Sequence, residues 1–173
     1  MEIRPERLDD HEAVLDVHRQ AFGDHGQVVA GLAEALRPAA LSLVAEDQGR
    51  VVGNVMVTRS LLDAPRRLVP VQVLSPLGVL PEYQRRGIGS ALVRRCLELL
   101  DERREPLLFL EGDPGYYSRL GFTAGGDHGF RKPSLRIPDA AFQVKTLSAY
   151  EPWMTGTFVY AQAFWDHDCV GLR

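Results

Sequence analysis

The fold of this chain is organised around residues Val71–Ala91, with the sequence VQVLSPLGVLPEYQRRGIGSA. This stretch reads as an apolar strand, a turn through Pro81, a Gln-x-x-Gly-x-Gly segment and the start of an amphipathic helix. The first backbone N–H groups of a helix have no partner within it, and the helix dipole adds partial positive charge there. Gly87 and Gly89 carry no Cβ, so a ligand can approach their backbone closely. The stretch therefore predicts a site for a phosphate group.

Other glycine-rich phosphate sites fit this stretch less well. A P-loop is excluded, because no Gly-Lys-Ser or Gly-Lys-Thr follows the strand. A dinucleotide fingerprint requires a first glycine two residues before the second within a βαβ unit, and an acidic residue about 20 positions later at the end of a strand. A glycine turn that merely begins a helix remains an alternative on this pattern alone.

Length and composition favour one domain over residues 1–173, since 173 residues with 45% hydrophobic content can bury one core. The net charge of −3 argues against a nucleic-acid partner bound through a broad basic face. The N-terminus does not resemble a signal peptide, and no apolar run is long enough to cross a bilayer. We expect a cytoplasmic protein with no membrane partner.

The residue types that usually bind metals give no metal site. Cys96 and Cys169 lie far apart and match no metal-ligand spacing. Cys96 falls on the apolar face of a helix, which predicts a buried thiol. The run Asp166-His167-Asp168 is interpreted as a polar tail, because adjacent side chains point in different directions.

Hydrophobic periodicity predicts an interleaved order of strands and helices: β, α, α, β, β, β, α, β, α, β, β. The early hairpin implies antiparallel neighbours, whereas strands on either side of a helix should run parallel. The predicted elements are a strand in Met1–Leu8 with Ile3 inward, helices ending at Phe22-Gly23 and before Pro38, strands Leu41–Glu46, Val51–Thr58 and Leu68–Val79, helix Gly87–Arg103, strand Pro106–Leu110, a short helix capped by Asp113, a glycine-rich loop Gly125–Pro133, and closing strands in Ala140–Leu147 and Thr155–Phe164.

A proline interrupts the strand that precedes the glycine segment. Pro76 has no N–H to donate to a neighbouring strand, so we expect the pairing to break there. A bulge or a splayed strand is the expected result.

Two runs resemble the GNAT superfamily of N-acetyltransferases. The run from Leu77 to Gly89 is similar to the acyl-CoA motif of that family, and Tyr117-Ser118-Arg119-Leu120-Gly121-Phe122 is similar to its C-terminal Tyr-x-x-Leu-Gly-Phe signature. The segments SPLGVLPEYQRRGIGSAL and GDPGYYSRLGF also resemble those of a subgroup of bacterial acetyltransferases of the YhbS type. The resemblance implies an α/β fold with a central mixed, mostly antiparallel β-sheet flanked by helices. Two parallel strands would splay apart at the acyl-CoA site.

The resemblance implies acetyl-CoA as the acyl donor. Backbone N–H groups of residues 85–90 would hold the CoA pyrophosphate, with two arginines adding positive charge at the rim. Main-chain groups of Leu77 and Val79 would bind the pantetheine arm, as an added strand does. The implied cofactor-binding residues are Leu77, Gly78, Val79, Gln84, Arg85, Arg86, Gly87, Ile88, Gly89 and Ser90.

The chemistry implied by the resemblance is direct attack of an amine on the thioester in a ternary complex. Tyr117 matches the family tyrosine and would protonate the departing CoA thiolate. The phenol pKa near 10 lies only modestly above the thiol pKa near 8.5. An aromatic core residue is the alternative interpretation of Tyr117, and Tyr116 is interpreted as packing.

The general base is less well defined by the sequence. Many family members place an acidic residue on the strand before the glycine segment, where this chain has Gln72, Leu74 and Ser75. Glu111, at the end of an apolar strand, is the first candidate, acting directly or through water. A carboxylate that serves the turn at Gly112 is an equally good interpretation. His25 is a second candidate base, and an exposed histidine without a catalytic role is favoured over it.

The leading hypothesis is therefore an acetyl-CoA-dependent N-acetyltransferase that acts on a primary amine of a small molecule or peptide. A non-catalytic acyl-CoA-binding or sensor module of the same fold is the alternative, motivated by the missing strand carboxylate. A transferase of longer acyl groups is a third possibility. The early helices, the Gly125–Pro133 loop and the closing strands should bound the acceptor site. A homodimer is compatible with the fold.

Overall fold

A computed structural model describes residues 1–171. These residues form two compact units, and two strands and one helix contribute to both. The first unit contains Met1–Thr58 and Ser75–Cys96, and the second contains Arg59–Leu74 and the chain from Leu97 onward. The strands are β1 (Glu2–Pro5), β2 (Leu41–Asp47), β3 (Arg50–Asp63), β4 (Leu68–Val79), β5 (Leu107–Glu111), β6 (Thr123–Ala124), β7 (Phe130–Arg131), β8 (Phe142–Thr146) and β9 (Gly156–Val159). The α-helices are α1 (His11–Ala21), α2 (Gly26–Leu36), α3 (Ile88–Glu102), α4 (Pro114–Tyr117) and α5 (Gln162–Asp166).

In the first unit, β1, β2 and the first part of β3 form antiparallel pairs in that order. The predicted β2–β3 hairpin is confirmed, with Asp47 opposite Arg50 across its turn. Gln48 and Gly49 occupy the turn with φ of 49° and 80°, the left-handed conformation that glycine adopts without strain. The two predicted helices are also confirmed, and each buries one apolar stripe. The buried apolar residues are Val14, Leu15 and Val17 of α1 and Val29, Ala30, Leu32, Ala33 and Leu36 of α2.

The prediction that Ile3 is the inward residue of the first strand is wrong. The buried residue of β1 is Arg4, whereas Ile3 is half-buried. Arg4 donates hydrogen bonds of 2.6 and 2.9 Å to the Asp10 carboxylate and further bonds to Glu46. An arginine is rarely buried unless it is paired, and here two carboxylates pair it. The buried side chain of β1 is therefore an arginine in an ion-pair cluster with Asp10 and Glu46, and not an aliphatic residue.

In the second unit, the strand order is β4-β5-β8-β6, and the last part of β3 pairs with β9, which pairs with β7. The β4–β5 pair is parallel, as predicted, whereas β5–β8, β6–β8 and β3–β9 are antiparallel. Residues 107–110 are all buried, which explains the continuous apolar run Leu-Leu-Phe-Leu. The mixed, mostly antiparallel β-structure with flanking helices confirms the predicted fold class.

The parallel register of β4 with β5 is short. It joins Gln72 with Leu108 and Val73 with Phe109, and so it ends before Pro76. The Ser75–Pro76 peptide bond is cis. The expected break in strand pairing near this proline is confirmed.

The C-terminal predictions need correction. Within Thr155–Phe164, only Gly156–Val159 is a strand, and helix α5 begins at Gln162. A short apolar run alone does not distinguish a strand from a buried helix, and Phe164 is buried as a helical residue. The predicted loop Gly125–Pro133 contains a 3-10 turn and the two-residue strand β7, which is too short to show a period. The prediction of one domain over residues 1–173 stays a prediction.

Helix α1 approaches β4 very closely at one point in the first unit. A Cβ placed on Gly78 would lie 2.8 Å from Nδ1 of His18 and 3.4 Å from Cβ of Ala21. Real side chains do not approach to 2.8 Å without a shift of their neighbours. Gly78 therefore occupies a position where the packing of α1 against β4 leaves no room for a side chain.

We predict that Gly78→Ala lowers the free energy of unfolding by about 1–3 kcal/mol, because the new methyl group overpacks the His18 contact. Urea denaturation measures this loss. The control is Gly126→Ala, where a Cβ meets nothing within 4 Å. A double-mutant cycle with His18→Ala should show coupling between positions 18 and 78. Equal stability of the Gly78→Ala and Gly126→Ala variants would contradict the packing argument.

Candidate active site

The predicted cofactor-binding segment begins where β4 ends. The N–H of Leu80 donates to the Val52 carbonyl at 2.9 Å, which anchors the chain to β3. A 3-10 turn at Pro81–Tyr83 follows, and the Gln84 side chain donates to the carbonyl of Val79 at 3.0 Å. Gln84 thus fastens the loop to the end of the strand.

The loop backbone then adopts two left-handed residues before α3. Arg85 has a φ of 59° and Gly87 a φ of 82°. A Cβ on Gly87 would meet nothing within 4 Å, so glycine is favoured there by conformation and not by lack of space. Left-handed residues in such a turn direct successive N–H groups into one concave surface that suits an anion. The chain from Gln84 to Gly87 is exposed to solvent.

The first turn of α3 packs directly on β3. A Cβ on Gly53 would lie 3.2 Å from Cδ1 of Leu92, 3.3 Å from Cγ2 of Ile88 and 3.4 Å from the carbonyl oxygen of Gly78. These contacts fix the N-terminus of α3 beside the end of β4. Partial positive charge of the helix dipole is thereby added to the concave surface of the loop.

Side chains around the loop add positive charge. The guanidinium groups of Arg50 and Arg86 lie 5.7 and 5.2 Å from the ring centre of Tyr83. Arg50 also pairs with Glu82 at 3.1 Å. Arg85 is exposed and forms no ion pair among residues 1–171. Arg85 and Arg86, the two arginines at the rim of the loop, are thus available to an anionic ligand.

A chain of buried polar groups lies behind β4 in the first unit. His18 is fully buried, and its Nε2 lies 2.8 Å from Oδ1 of Asn54. Asn54 donates to Ser42 and to the Leu43 carbonyl, both at 2.9 Å, and Ser42 donates to Glu6. Because the Asn54 oxygen faces Nε2, that nitrogen carries the proton. Nδ1 of His18 has no hydrogen-bond partner within the described residues.

Tyr117 ends the short helix α4 in the second unit. Asp113 caps this helix by accepting the Gly115 N–H at 2.8 Å, as predicted. The Tyr117 ring packs on Phe122 at 5.6 Å and lies over Gly112, where a Cβ would be 2.5 Å from the ring. Burial, with a smaller effect of Tyr116, raises the pKa of the Tyr117 hydroxyl above its ordinary value. The phenol therefore stays protonated at neutral pH.

Glu111 precedes that glycine at the end of β5. Its carboxylate accepts a hydrogen bond from the Tyr160 hydroxyl and one from the Gly171 N–H at 3.1 Å. Burial raises the pKa of Glu111 above the ordinary value, although these two hydrogen bonds act in the opposite direction. Glu111 thus precedes Gly112 in the chain, and the Tyr117 ring lies against that glycine. A carboxylate with a raised pKa and a protonated phenol are suited to opposite proton-transfer roles.

Other candidate groups behave differently. His25 lies exposed in a 3-10 turn of the first unit. Cys96 is fully buried, as predicted, and burial raises the pKa of its thiol to about 12. No group of three or more potential metal ligands occurs within residues 1–171. Over the same residues, every helix is too short or too polar to span a bilayer.

Comparison with known proteins identifies the family of this chain. A family model described as an acetyltransferase (GNAT) domain matches residues 2–125, which is more than half of the chain. This chain belongs to the GNAT family of N-acetyltransferases. The matched residues include the whole predicted acyl-CoA segment and the Tyr117–Phe122 signature.

Individual GNAT relatives match over most of their length. An uncharacterised N-acetyltransferase of Escherichia coli K12, YjhQ, is 34% identical over 155 residues, covering 85% of this chain and 84% of the relative. The crystal structure of E. coli YhbS in complex with CoA aligns with a TM-score of 0.84 at 29% identity, covering 94% of this chain and 91% of YhbS. A GNAT acetyltransferase of Brucella melitensis in complex with acetyl-CoA aligns with a TM-score of 0.76 at 31% identity, covering 94% and 97%.

Sequence reasoning missed two residues that the structure makes prominent. Tyr160 follows β9 and is connected to Glu111 only by the fold, so no local pattern marks it. His18 lies on the buried face of α1, and its partner Asn54 is 36 positions away. A polar residue on an otherwise apolar helix face was the available signal for His18.

The buried His18 predicts a loss of stability in acid. Burial lowers the pKa of His18 to about 4, whereas an exposed histidine has a pKa near 6.5. The unfolded chain therefore binds more protons than the folded chain between these values, and stability falls as the pH drops from 6.5 to 4. We expect this residue to contribute about 3 kcal/mol to the fall.

Urea denaturation of wild type and His18→Gln between pH 7 and pH 4 measures this effect. Titrations common to both proteins cancel in the difference. The stability advantage of wild type should shrink by about 3 kcal/mol over this range, because glutamine has no proton to bind. Parallel stability curves would contradict the neutral buried state of His18.

Proposed function

We propose that this protein is an acetyl-CoA-dependent N-acetyltransferase that moves the acetyl group to a primary amine by direct attack in a ternary complex. The observation that carries the proposal is the exposed loop before α3, in which the left-handed residues Arg85 and Gly87 directly precede a helix N-terminus. This is a general solution for binding a pyrophosphate. Two relatives of the same fold are described in complex with CoA or acetyl-CoA, which supports the same donor here.

In this proposal, the donor occupies the strand edge as well as the loop. The N–H groups of residues 85–90 bind the pyrophosphate, and Arg85 and Arg86 neutralise its charge. Main-chain groups of Leu77 and Val79 bind the amide-bearing pantetheine arm in the manner of an added strand. The short β4–β5 register supports this role, since it leaves the end of β4 outside that pair.

Tyr117 is proposed to act on the departing thiolate. Its raised pKa makes complete proton transfer to a thiolate of pKa near 8.5 unfavourable in the resting enzyme. A hydrogen bond from the phenol to the developing charge on sulfur stabilises the transition state without that cost. The phenol keeps its proton, and the CoA thiolate takes up a proton from water after the C–S bond is broken.

Glu111 is proposed as the base for the attacking ammonium group. An amine must lose a proton before its nitrogen lone pair can attack the thioester carbonyl carbon. A carboxylate whose pKa is raised by burial binds that proton more readily than an exposed one. Glu111 acts directly or through one water molecule.

A second candidate function is a non-catalytic acyl-CoA sensor. The observation that favours it is the absence of a carboxylate at Gln72, Leu74 and Ser75 of β4. Tight binding of acetyl-CoA without turnover, together with an effect on the affinity for a partner, is the behaviour expected of a sensor.

Release of CoA from acetyl-CoA across small amines, peptides and aminoglycosides tests the proposal. We expect amine-dependent release, and a fall of about 100-fold in kcat for Tyr117→Phe with little change in the KM for acetyl-CoA. Tyr116→Phe is the matched control, because it removes the neighbouring hydroxyl. Wild-type turnover in Tyr117→Phe would remove the proposed hydrogen-bond donor. No release with any amine, despite binding of acetyl-CoA in calorimetry, would favour the sensor.

The pH dependence of kcat/KM tests the base. Activity should fall as the pH drops through the raised pKa of Glu111, because only the carboxylate accepts a proton. Glu111→Gln should lose about 100-fold or more in activity and the acidic limb with it. Tyr160→Phe removes a hydrogen bond that lowers this pKa, so the limb should move to higher pH.

The acceptor amine can also produce an acidic limb. Acceptors of different pKa separate the two sources, since a limb from Glu111 stays at the same pH for each. A limb that follows the pKa of the amine, and persists in Glu111→Gln, would show that Glu111 is not the base.

A further inference from the structure

A cavity of about 590 Å³ lies in the second unit, around the glycine-rich loop and the start of β8. This volume is in the range of small-molecule sites. Its walls are formed largely by the side chains of Phe130, Leu135 and Phe142, with Ala124 and Ala140. All of these groups are apolar, so the cavity favours an apolar ligand body.

The cavity is connected to the proposed base through the β5–β8 register. Phe142 lies directly opposite Glu111 across the two antiparallel strands. Side chains of such opposed residues share one face of the sheet, with Cβ atoms about 5 Å apart. The N–H of Gly112 also donates to the carbonyl of Ala141 at 3.0 Å. One wall of the cavity is therefore the immediate neighbour of Glu111.

The charged side chains that line the cavity are two carboxylates and two cations, Asp127, Asp139, Arg131 and Lys132. Asp127 lines it, is exposed to solvent and forms no ion pair with any other residue from 1 to 171. Asp139 lines it as well and pairs with Lys132 at 2.8 Å, while Lys132 also donates to the Ile137 carbonyl. That lysine is thus occupied by groups of the protein. Arg131 also lines the cavity, so the electrostatic field inside the cavity is mixed. Asp127 supplies the local attraction for an ammonium group.

Leu135 adds exposed apolar surface to the cavity. It is 96% exposed, although it lines the cavity. A leucine in that position gains nothing from the folded chain, whereas an apolar ligand in the cavity would cover it. A second cavity of about 360 Å³ includes Tyr160, but it has Arg59 and no carboxylate in its lining. The larger cavity is the better match for an amine.

We propose that this cavity holds the acceptor of the transferase, and that the acceptor is a small primary amine with an apolar body, such as an alkylamine or arylalkylamine. This inference rests on the proposed function. The apolar body contacts Leu135 and the phenylalanine wall, and Asp127 attracts the ammonium form. Glu111 takes up the first ammonium proton through water, and the amine nitrogen forms a bond to the acetyl carbonyl carbon. The C–S bond then breaks, the nitrogen loses its second ammonium proton to solvent, and the CoA thiolate takes up a proton from water.

The test is a series of amines of similar pKa and increasing apolar length, from ethylamine to hexylamine, with phenethylamine and the polar ethanolamine. CoA release should give a kcat/KM that rises by about threefold for each methylene that enters the cavity. Ethanolamine should be the poorest substrate. A kcat/KM that is flat with length, or highest for ethanolamine, would overturn the proposed acceptor.

Two substitutions test whether the preference for apolar amines arises in the cavity. Leu135→Ser should lower kcat/KM for hexylamine about fivefold, with ethanolamine and the KM for acetyl-CoA changed by less than twofold. Leu8→Ser, at a leucine 93% exposed in the first unit, is the matched control and should change none of these values. Asp127→Asn should raise the KM for every amine, most strongly at low salt. Equal effects of Leu135→Ser and Leu8→Ser would overturn the placement of the acceptor.

The outcomes also separate this inference from the proposed function. Turnover of polar amines without any preference for apolar ones would leave an N-acetyltransferase whose acceptor binds elsewhere. No amine-dependent release by wild type would remove both the acceptor and the transferase.

Discussion

The absence of a side chain at a few backbone positions is the constraint on which the packing of the first unit depends. Gly78 admits His18 of α1, and Gly53 admits the first turn of α3. Gly87 serves a different purpose, because its φ of 82° turns the loop while its surroundings stay open. Together they bring a strand end, a loop and a helix N-terminus into one place. Backbone N–H groups at such a place form an anion site without any dedicated side chain.

Burial is the common cause of the unusual protonation equilibria in this protein. It keeps His18 neutral, raises the pKa of the Glu111 carboxyl group and keeps the Tyr117 phenol protonated. The same effect therefore has two different consequences. At His18 it makes the fold sensitive to acid. At Glu111 and Tyr117 it raises the pKa of both groups, and the proposed acid–base chemistry rests on these shifts.

The sequence predicted the elements whose signals are local. The hairpin turn, the cap at Asp113 and the helix after Gly87 all depend on residues within a few positions of each other, and all are confirmed. Features that depend on distant partners were missed or wrong. The buried Arg4 needs Glu46, 42 positions away, and Tyr160 finds Glu111 from 49 positions away. No periodicity encodes such pairs, because only the folded chain brings them together.

The central claim is that backbone N–H groups of residues 85–90 bind the pyrophosphate of acetyl-CoA. An NMR titration of the ¹⁵N-labelled protein with acetyl-CoA tests it most directly. The amide resonances of Gly87, Gly89 and their neighbours should shift most, with smaller shifts at Leu77 and Val79 of β4. Titration with pantetheine alone should spare the loop. Binding that leaves the amides of residues 85–90 unchanged, with the largest shifts elsewhere, would contradict the account.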